Sequence, residues 1–406
     1  MERIIAFFGM FIILGIAVLF SNNRKAINWR TVLTGLGIQF ALALLILKVP
    51  GTKELFFWLG QGVQKVLEYA VEGSAFIFGD NLAKGPFIFL VRIGPTIIFV
   101  SALSALGYYF GIMPRIVKVA ARLMQKTMRI TGLEALSAVL AVFVGQVECQ
   151  LGIKPYLPRM TRSELFCSIT SAMATISGSA LVAYTAMGMN PTHLIAASIM
   201  SAMGGIVMAK IFFPETETPV IESNLEIADV HKPVNAFDAI AVGAMEGGKI
   251  AANVMCMVLV AVALVAAVNG TLGAMLSTVG LHWTVQDIFG VFFTPLAFIM
   301  GVPWHECFHV GRLMATEILV NEFASYGELS SVIGGHGAYV LSEKTQMITT
   351  MALCGFANLG SIAINIGGLG AMAPERRGEI AKMCFKALIA ANLATHLTAA
   401  MAGLLF

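Results

Sequence analysis

"GQVECQLGIKPYL", residues 145–157, decides how the rest of the chain is read. It follows a ten-residue apolar run, 135–144, which as a helix is about 15 Å long, half the thickness of a membrane core. A polar tip with Gln146 and Glu148 comes next, and Pro155 and Pro158 follow closely. Within a membrane the stretch reads as a re-entrant hairpin whose tip reaches the midplane. Backbone leaves a helix at that depth only under cover of protein or water. A glutamate there needs a partner, a proton or a polar ligand. Read as a loop, Gln146, Glu148 and Lys154 would instead form an interfacial cluster after a short helix.

Composition places the chain in lipid. Its 406 residues are 58% hydrophobic and 12% charged, against about 25% charged in a soluble domain. Uncharged runs at 165–209, 250–286, 345–374 and 387–406 each hold a span of about 20 apolar residues. Forty glycines suit close helix packing in a bilayer. The expected fold is an all-α polytopic membrane protein. A net charge of +3 gives no reason to expect a nucleic-acid partner. Cys149, Cys167, Cys256, Cys307, Cys354 and Cys384 stand singly and read as packing residues, with no disulfide framework or zinc ribbon. The first apolar segment, 4–20, lacks a small-residue cleavage site and reads as a retained helix.

Spans are expected at 4–20 and 31–49, with Arg24, Lys25 and Arg30 placing the loop between them in the cytoplasm. Leu55, Trp58, Leu59, Val66, Leu67, Ala70 and Val71 share one helical face, opposite Gln61, Gln64, Lys65 and Glu68. That pattern predicts a helix in the membrane interface. A span over 86–109 is interrupted by Arg92 and Gly94-Pro95, and 114–129 reads as a basic cytoplasmic interfacial helix.

Two similar blocks follow. In the first, 132–158 carries Glu148 and 165–187 carries Thr175-Ile176-Ser177-Gly178. In the second, 302–326 carries Asn321-Glu322, and 345–370 carries Gly355-Phe356-Ala357-Asn358 with Ser361. Repeated, interrupted apolar segments point to a transporter site at the repeat interface. The expected division is scaffold spans and interfacial helices at 1–131, first hairpin and broken helix at 132–213, and a polar linker at 214–249. Further scaffold spans take 250–300, the second hairpin and broken helix 301–386, and a final span 387–406. Asn358 and Ser361, three apart, share a helical face with Phe356 close by. An aromatic, an amide and a hydroxyl beside two carboxylates suit a small, hydroxyl-rich ligand with a planar ring.

His305-Glu306-Cys307-Phe308-His309 fits H-E-x-x-H and defines the alternative, an intramembrane zinc metalloprotease. No Asp follows Asp287, and no later Glu stands in a recognisable metal motif.

Gly145-Gln146-x-Glu148 with "KPYLPRMTRSE", "ATISGS", "MGVPW", "NEF" and "CGFAN…GGLG", in this order and spacing, resemble the concentrative nucleoside transporter family. The resemblance runs from about residue 135 to 374; residues 1–130 match it in layout only. It implies a homotrimeric bacterial inner-membrane symporter with about eight transmembrane helices, two re-entrant hairpins and an inverted-repeat transport domain that moves as an elevator. It implies no enzyme activity and no cofactor. Carried over by position, Gln146, Val147 and Glu148 face the nucleobase. Glu322, Asn358 and Ser361 hold the ribose, with Phe356 nearby. Val144, Thr175 and Ile176 supply the cation site, largely through backbone carbonyls. Two positions depart from the family: Val147, where it often has a hydroxyl residue, and Ala141, where sodium-coupled members have an asparagine. A hard cation wants oxygen ligands, so proton coupling through Glu148 or Glu322 stays open beside sodium, which the retained carbonyls favour. The choice between purine and pyrimidine nucleosides stays open too.

Overall fold

Among the described residues, seven helices are long and apolar enough to cross a membrane: Glu2–Leu19, Trp29–Leu47, Phe89–Tyr109, Arg162–Ala186, Pro191–Phe212, Ala236–Ser277 and Pro374–Leu405. They belong to a computed structural model that describes residues 1–85, 88–219, 233–278 and 280–406, which hold no strand. Two shorter helices, Glu343–Ala352 and Leu359–Met372, follow one another as halves of a further, broken segment. The chain is all-helical, as its composition requires. The interfacial pattern is a helix, Pro50–Phe78, whose Leu55, Trp58 and Leu59 are exposed. The basic segment is the helix Ile112–Met128.

The first hairpin has the length read from the sequence. Gly132–Phe143 opens on a capping box, in which Thr131 Oγ1 accepts the Glu134 N–H and the Glu134 carboxylate accepts the Thr131 N–H. The chain turns at Gly145, whose φ of +128° favours glycine. A Cβ there would also lie 2.7 Å from Glu148 Oε2. The return arm is the short helix Glu148–Leu151 followed by the 3-10 turn Lys154–Arg159, where the two prolines sit. Entry and exit lie together. Lys210 pairs with Glu134 at the entry and lies 4.0 Å from Glu215, which accepts a hydrogen bond from Thr161 Oγ1 at the exit. The segment therefore enters and returns without crossing.

The second hairpin repeats the plan. Trp304–Leu319 stops at Val320, Asn321 caps the return helix Glu322–Ile333, and the two ends meet again. Glu306 accepts hydrogen bonds from Ser342 N and Oγ at 3.1 and 3.0 Å, and His309 stacks on Tyr339 with ring centroids 4.0 Å apart. Each hairpin is followed by a helix broken at its middle. Arg162–Met173 gives way to Gly178–Ala186, and Glu343–Ala352 to Leu359–Met372.

The expected linker at 214–249 ends differently. Residues 236–249 are the opening turns of the 42-residue helix Ala236–Ser277, so no boundary falls at 249; residues 220–232 of that stretch lie outside the described residues. The stretch 214–249 is polar and partly acidic in sequence, yet a helix longer than the hydrocarbon core carries charge at its end without breaking. This helix packs on Phe89–Tyr109 where it has no side chains. A Cβ on Gly243 would lie 2.6 Å from Ala105, and one on Gly247 would lie 2.8 Å from the Ile98 backbone. The boundary at 386 likewise falls inside one continuous helix, Arg377–Leu405.

Candidate functional site

Both broken helices and the second hairpin direct a helix N-terminus at the same space. Ser177 Oγ caps Gly178–Ala186, Asn321 Oδ1 caps Glu322–Ile333 and Asn358 Oδ1 caps Leu359–Met372. Between them lies a cavity of about 680 Å³, closed on one side by Ile250–Val265 of the long helix. Gln146, Val147, Glu148, Glu322, Phe356, Asn358 and Ser361 all line it, as does Val144. One cavity thus gathers side chains from both halves of the chain.

Glu322 is the centre of the polar network and is only 4% exposed. Its Oε1 accepts a hydrogen bond from Tyr184 OH at 3.1 Å, and its Oε2 accepts one from Asn358 Nδ2 at 2.7 Å. Asn358 Oδ1 accepts the Ser361 N–H at 2.9 Å. Across the cavity, Gln146 Oε1 accepts from Asn365 Nδ2 at 3.2 Å, and the same nitrogen donates to Ser361 O at 2.9 Å. Glu148 faces the open space. Val147 packs on the half-helix, since a Cβ on Gly368 would lie 2.6 Å from its Cγ1. Tyr184 and Asn365 were not among the residues expected from sequence.

Thr175 and Ile176 sit at the break of the first broken helix, fully buried and outside the cavity lining. The hairpin tip touches this break, with the Phe143 carbonyl 3.4 Å from where a Gly178 Cβ would be. Thr175 Oγ1 donates to Ser171 O at 3.0 Å, and the Ile176 carbonyl accepts from Ser198 Oγ at 3.3 Å. Ala141 is buried nearby on the hairpin arm and offers no side-chain oxygen. The H-E-x-x-H residues do not converge on a metal. Glu306 is turned to Ser342, His305 is exposed, and His309 lies against Tyr339. No group of three His, Cys, Asp or Glu among the described residues is placed to hold a metal ion.

Residues 193–403 match the family model described as "Na+ dependent nucleoside transporter C-terminus". The corresponding N-terminal model matches 8–81, and "Nucleoside recognition" matches 90–191. The chain belongs to the concentrative nucleoside transporter family. The nucleoside permease NupC of Helicobacter pylori is 39% identical over 98% of this chain and 96% of its own length. Human solute carrier family 28 member 3 is 36% identical over the whole chain, which spans 60% of that longer protein. The structure of CNTnw in an inward-facing substrate-bound state superposes with a TM-score of 0.94 at 39% identity, covering 100% of this chain and 98% of that one. This protein is therefore a nucleoside transporter of the concentrative family and not an enzyme, and the metalloprotease alternative is set aside.

Proposed function

We propose that this transporter accumulates nucleosides such as uridine or adenosine by symport with a cation, using the cavity between its two hairpins as the substrate site. The observation that carries the assignment is the Glu322 network. A carboxylate has about four acceptor directions; Tyr184 and Asn358 occupy one on each oxygen, which leaves two for the vicinal hydroxyls of a ribose. Ser361 stands on the same half-helix beside Asn358, and Phe356 supplies an apolar wall. Gln146, Val147 and Glu148 on the opposite hairpin tip meet the nucleobase.

Sodium is the proposed coupling ion. The hairpin tip and the helix break bring Val144, Thr175 and Ile176 into one region, where interrupted helices free carbonyl oxygens, with water completing the shell at Ala141. Proton coupling through Glu148 or Glu322 is the second reading, favoured by the missing oxygen at Ala141. Both carriers would move the two-hairpin domain as an elevator against a scaffold. The scaffold is a homotrimer in the bacterial inner membrane, as the family resemblance implies, and the apolar helix Ala236–Ser277, whose most apolar window is unburied within one protomer, offers a surface for it. The test is uridine accumulation in reconstituted vesicles, under an inward sodium gradient and separately under an inward proton gradient. Sodium-driven uptake supports the assignment. Uptake under the proton gradient alone, indifferent to sodium, overturns the ion but keeps the nucleoside site.

A further inference from the structure

Asn365 is fully buried and its side-chain nitrogen donates twice, to the Ser361 carbonyl at 2.9 Å and to Gln146 Oε1 at 3.2 Å. A backbone carbonyl only accepts hydrogen bonds, so Ser361 fixes which way the Asn365 amide faces. Turned over, the Asn365 oxygen would meet the Ser361 oxygen across the same gap. With the nitrogen held there, Asn365 can only donate to Gln146, and Gln146 must offer its own oxygen in return. The NH2 group of Gln146 is then the end of the amide turned away from Asn365, at the cavity that Gln146 lines, while the oxygen, one of its two acceptor directions taken, stays on the Asn365 side. Asn358, Ser361 and Asn365 fall at i, i+3 and i+7, so one face of one half-helix sets both Glu322 and Gln146.

We propose that Asn365 is a positioning residue that sets nucleobase specificity. It locks Gln146 as a hydrogen-bond donor, so the base must present an acceptor, a carbonyl oxygen or a ring nitrogen lone pair, at the edge facing residue 146. This rests on the nucleoside reading above. Uridine and cytidine, and inosine and adenosine, exchange donors and acceptors along that edge, and a locked donor distinguishes the members of such a pair. A free amide turns over and serves either.

The experiment compares inhibition of uptake by both members of each pair in the full-length transporter in vesicles. The parent should discriminate within at least one pair by about tenfold or more. Asn365→Leu should bring that ratio to within about twofold of one. This variant is expected to fold, because Asn365 Oδ1 is itself buried without a partner and a leucine of similar size removes that orphan. Asn365→Ala provides the same readout if the larger side chain is not accommodated. In a Gln146→Ala background, Asn365→Leu should leave the ratio unmoved. A parent that takes up nucleosides without discriminating within either pair overturns the proposal. So does an Asn365 variant that weakens every nucleoside equally and keeps the ratio. A parent that takes up no nucleoside at all would instead sink the transport reading itself.

Discussion

Asn358 donates from Nδ2 to the Glu322 carboxylate at 2.7 Å and accepts the Ser361 N–H on Oδ1 at 2.9 Å. One amide thus joins the second hairpin to the half-helix whose first turn it caps, so that on the proposed site substrate recognition and local folding would share a residue. Asn358→Ala should show both losses. A hydrogen bond to a charged group is worth about 1.5–3 kcal/mol, so uridine affinity should fall roughly 10- to 100-fold. The lost cap should remove about 1 kcal/mol of stability. Thermal melts with and without uridine separate the two. An unchanged apparent affinity would remove Asn358 from the site.

Glu322→Gln tests the ribose assignment. A glutamine offers acceptor directions from one oxygen only, so one of two vicinal hydroxyls loses its partner. Uridine should bind at least about tenfold more weakly, and its advantage over 2′-deoxyuridine should shrink. Equilibrium binding to purified protein measures both. A variant that kept the uridine to deoxyuridine ratio would place the ribose elsewhere.

Glu317 makes the opposite prediction. It lies five residues before Glu322 on the same hairpin, fully buried, with neither carboxyl oxygen hydrogen-bonded. A buried acid without a partner contributes nothing to stability, and a neutral side chain of the same shape is neutral or stabilising. Glu317→Gln should keep uridine affinity within about twofold and leave the melting temperature unchanged or higher. A large loss of stability would mean that Glu317 has a partner in another state of the cycle.

Ala141→Asn addresses the coupling ion. The position is 1% exposed, so the larger side chain should reduce stability by about 1–3 kcal/mol. It also brings an oxygen to the hairpin arm behind Val144, and the sodium concentration for half-maximal uptake should fall several-fold. If sodium dependence does not move, Val144, Thr175 and Ile176 are not the cation site.

The hairpins could be read from sequence because membrane thickness is a fixed ruler. The run 135–144 is too short to cross, and a glutamate at its end is too polar to abandon. The helix breaks were visible as Ser177-Gly178 and as Asn358 with Gly360 inside apolar runs. What sequence hid was partnership across distance. Tyr184 sits in an apolar run with nothing to mark that its hydroxyl meets Glu322, 138 residues away. Asn365 did leave a signal, standing four residues after Ser361 on the face already assigned to the site. The opening turns of the long helix Ala236–Ser277 read as a linker because 214–249 is polar and partly acidic, although charge at the end of a helix that outruns the bilayer carries no such meaning.

The cavity between the hairpins is lined by two carboxylates and by no Lys, Arg or His. A phosphate ester carries nearly two negative charges at neutral pH, and there is nothing here to receive it. Two of the converging helix ends, which elsewhere make phosphate cradles, start beside the Glu322 carboxylate of the protein itself, at Glu322–Ile333 and at the Asn358 cap of Leu359–Met372. On the proposed site, nucleotides should therefore compete with uridine uptake far more weakly than nucleosides do. A nucleotide would then enter by this route only after its phosphate is removed.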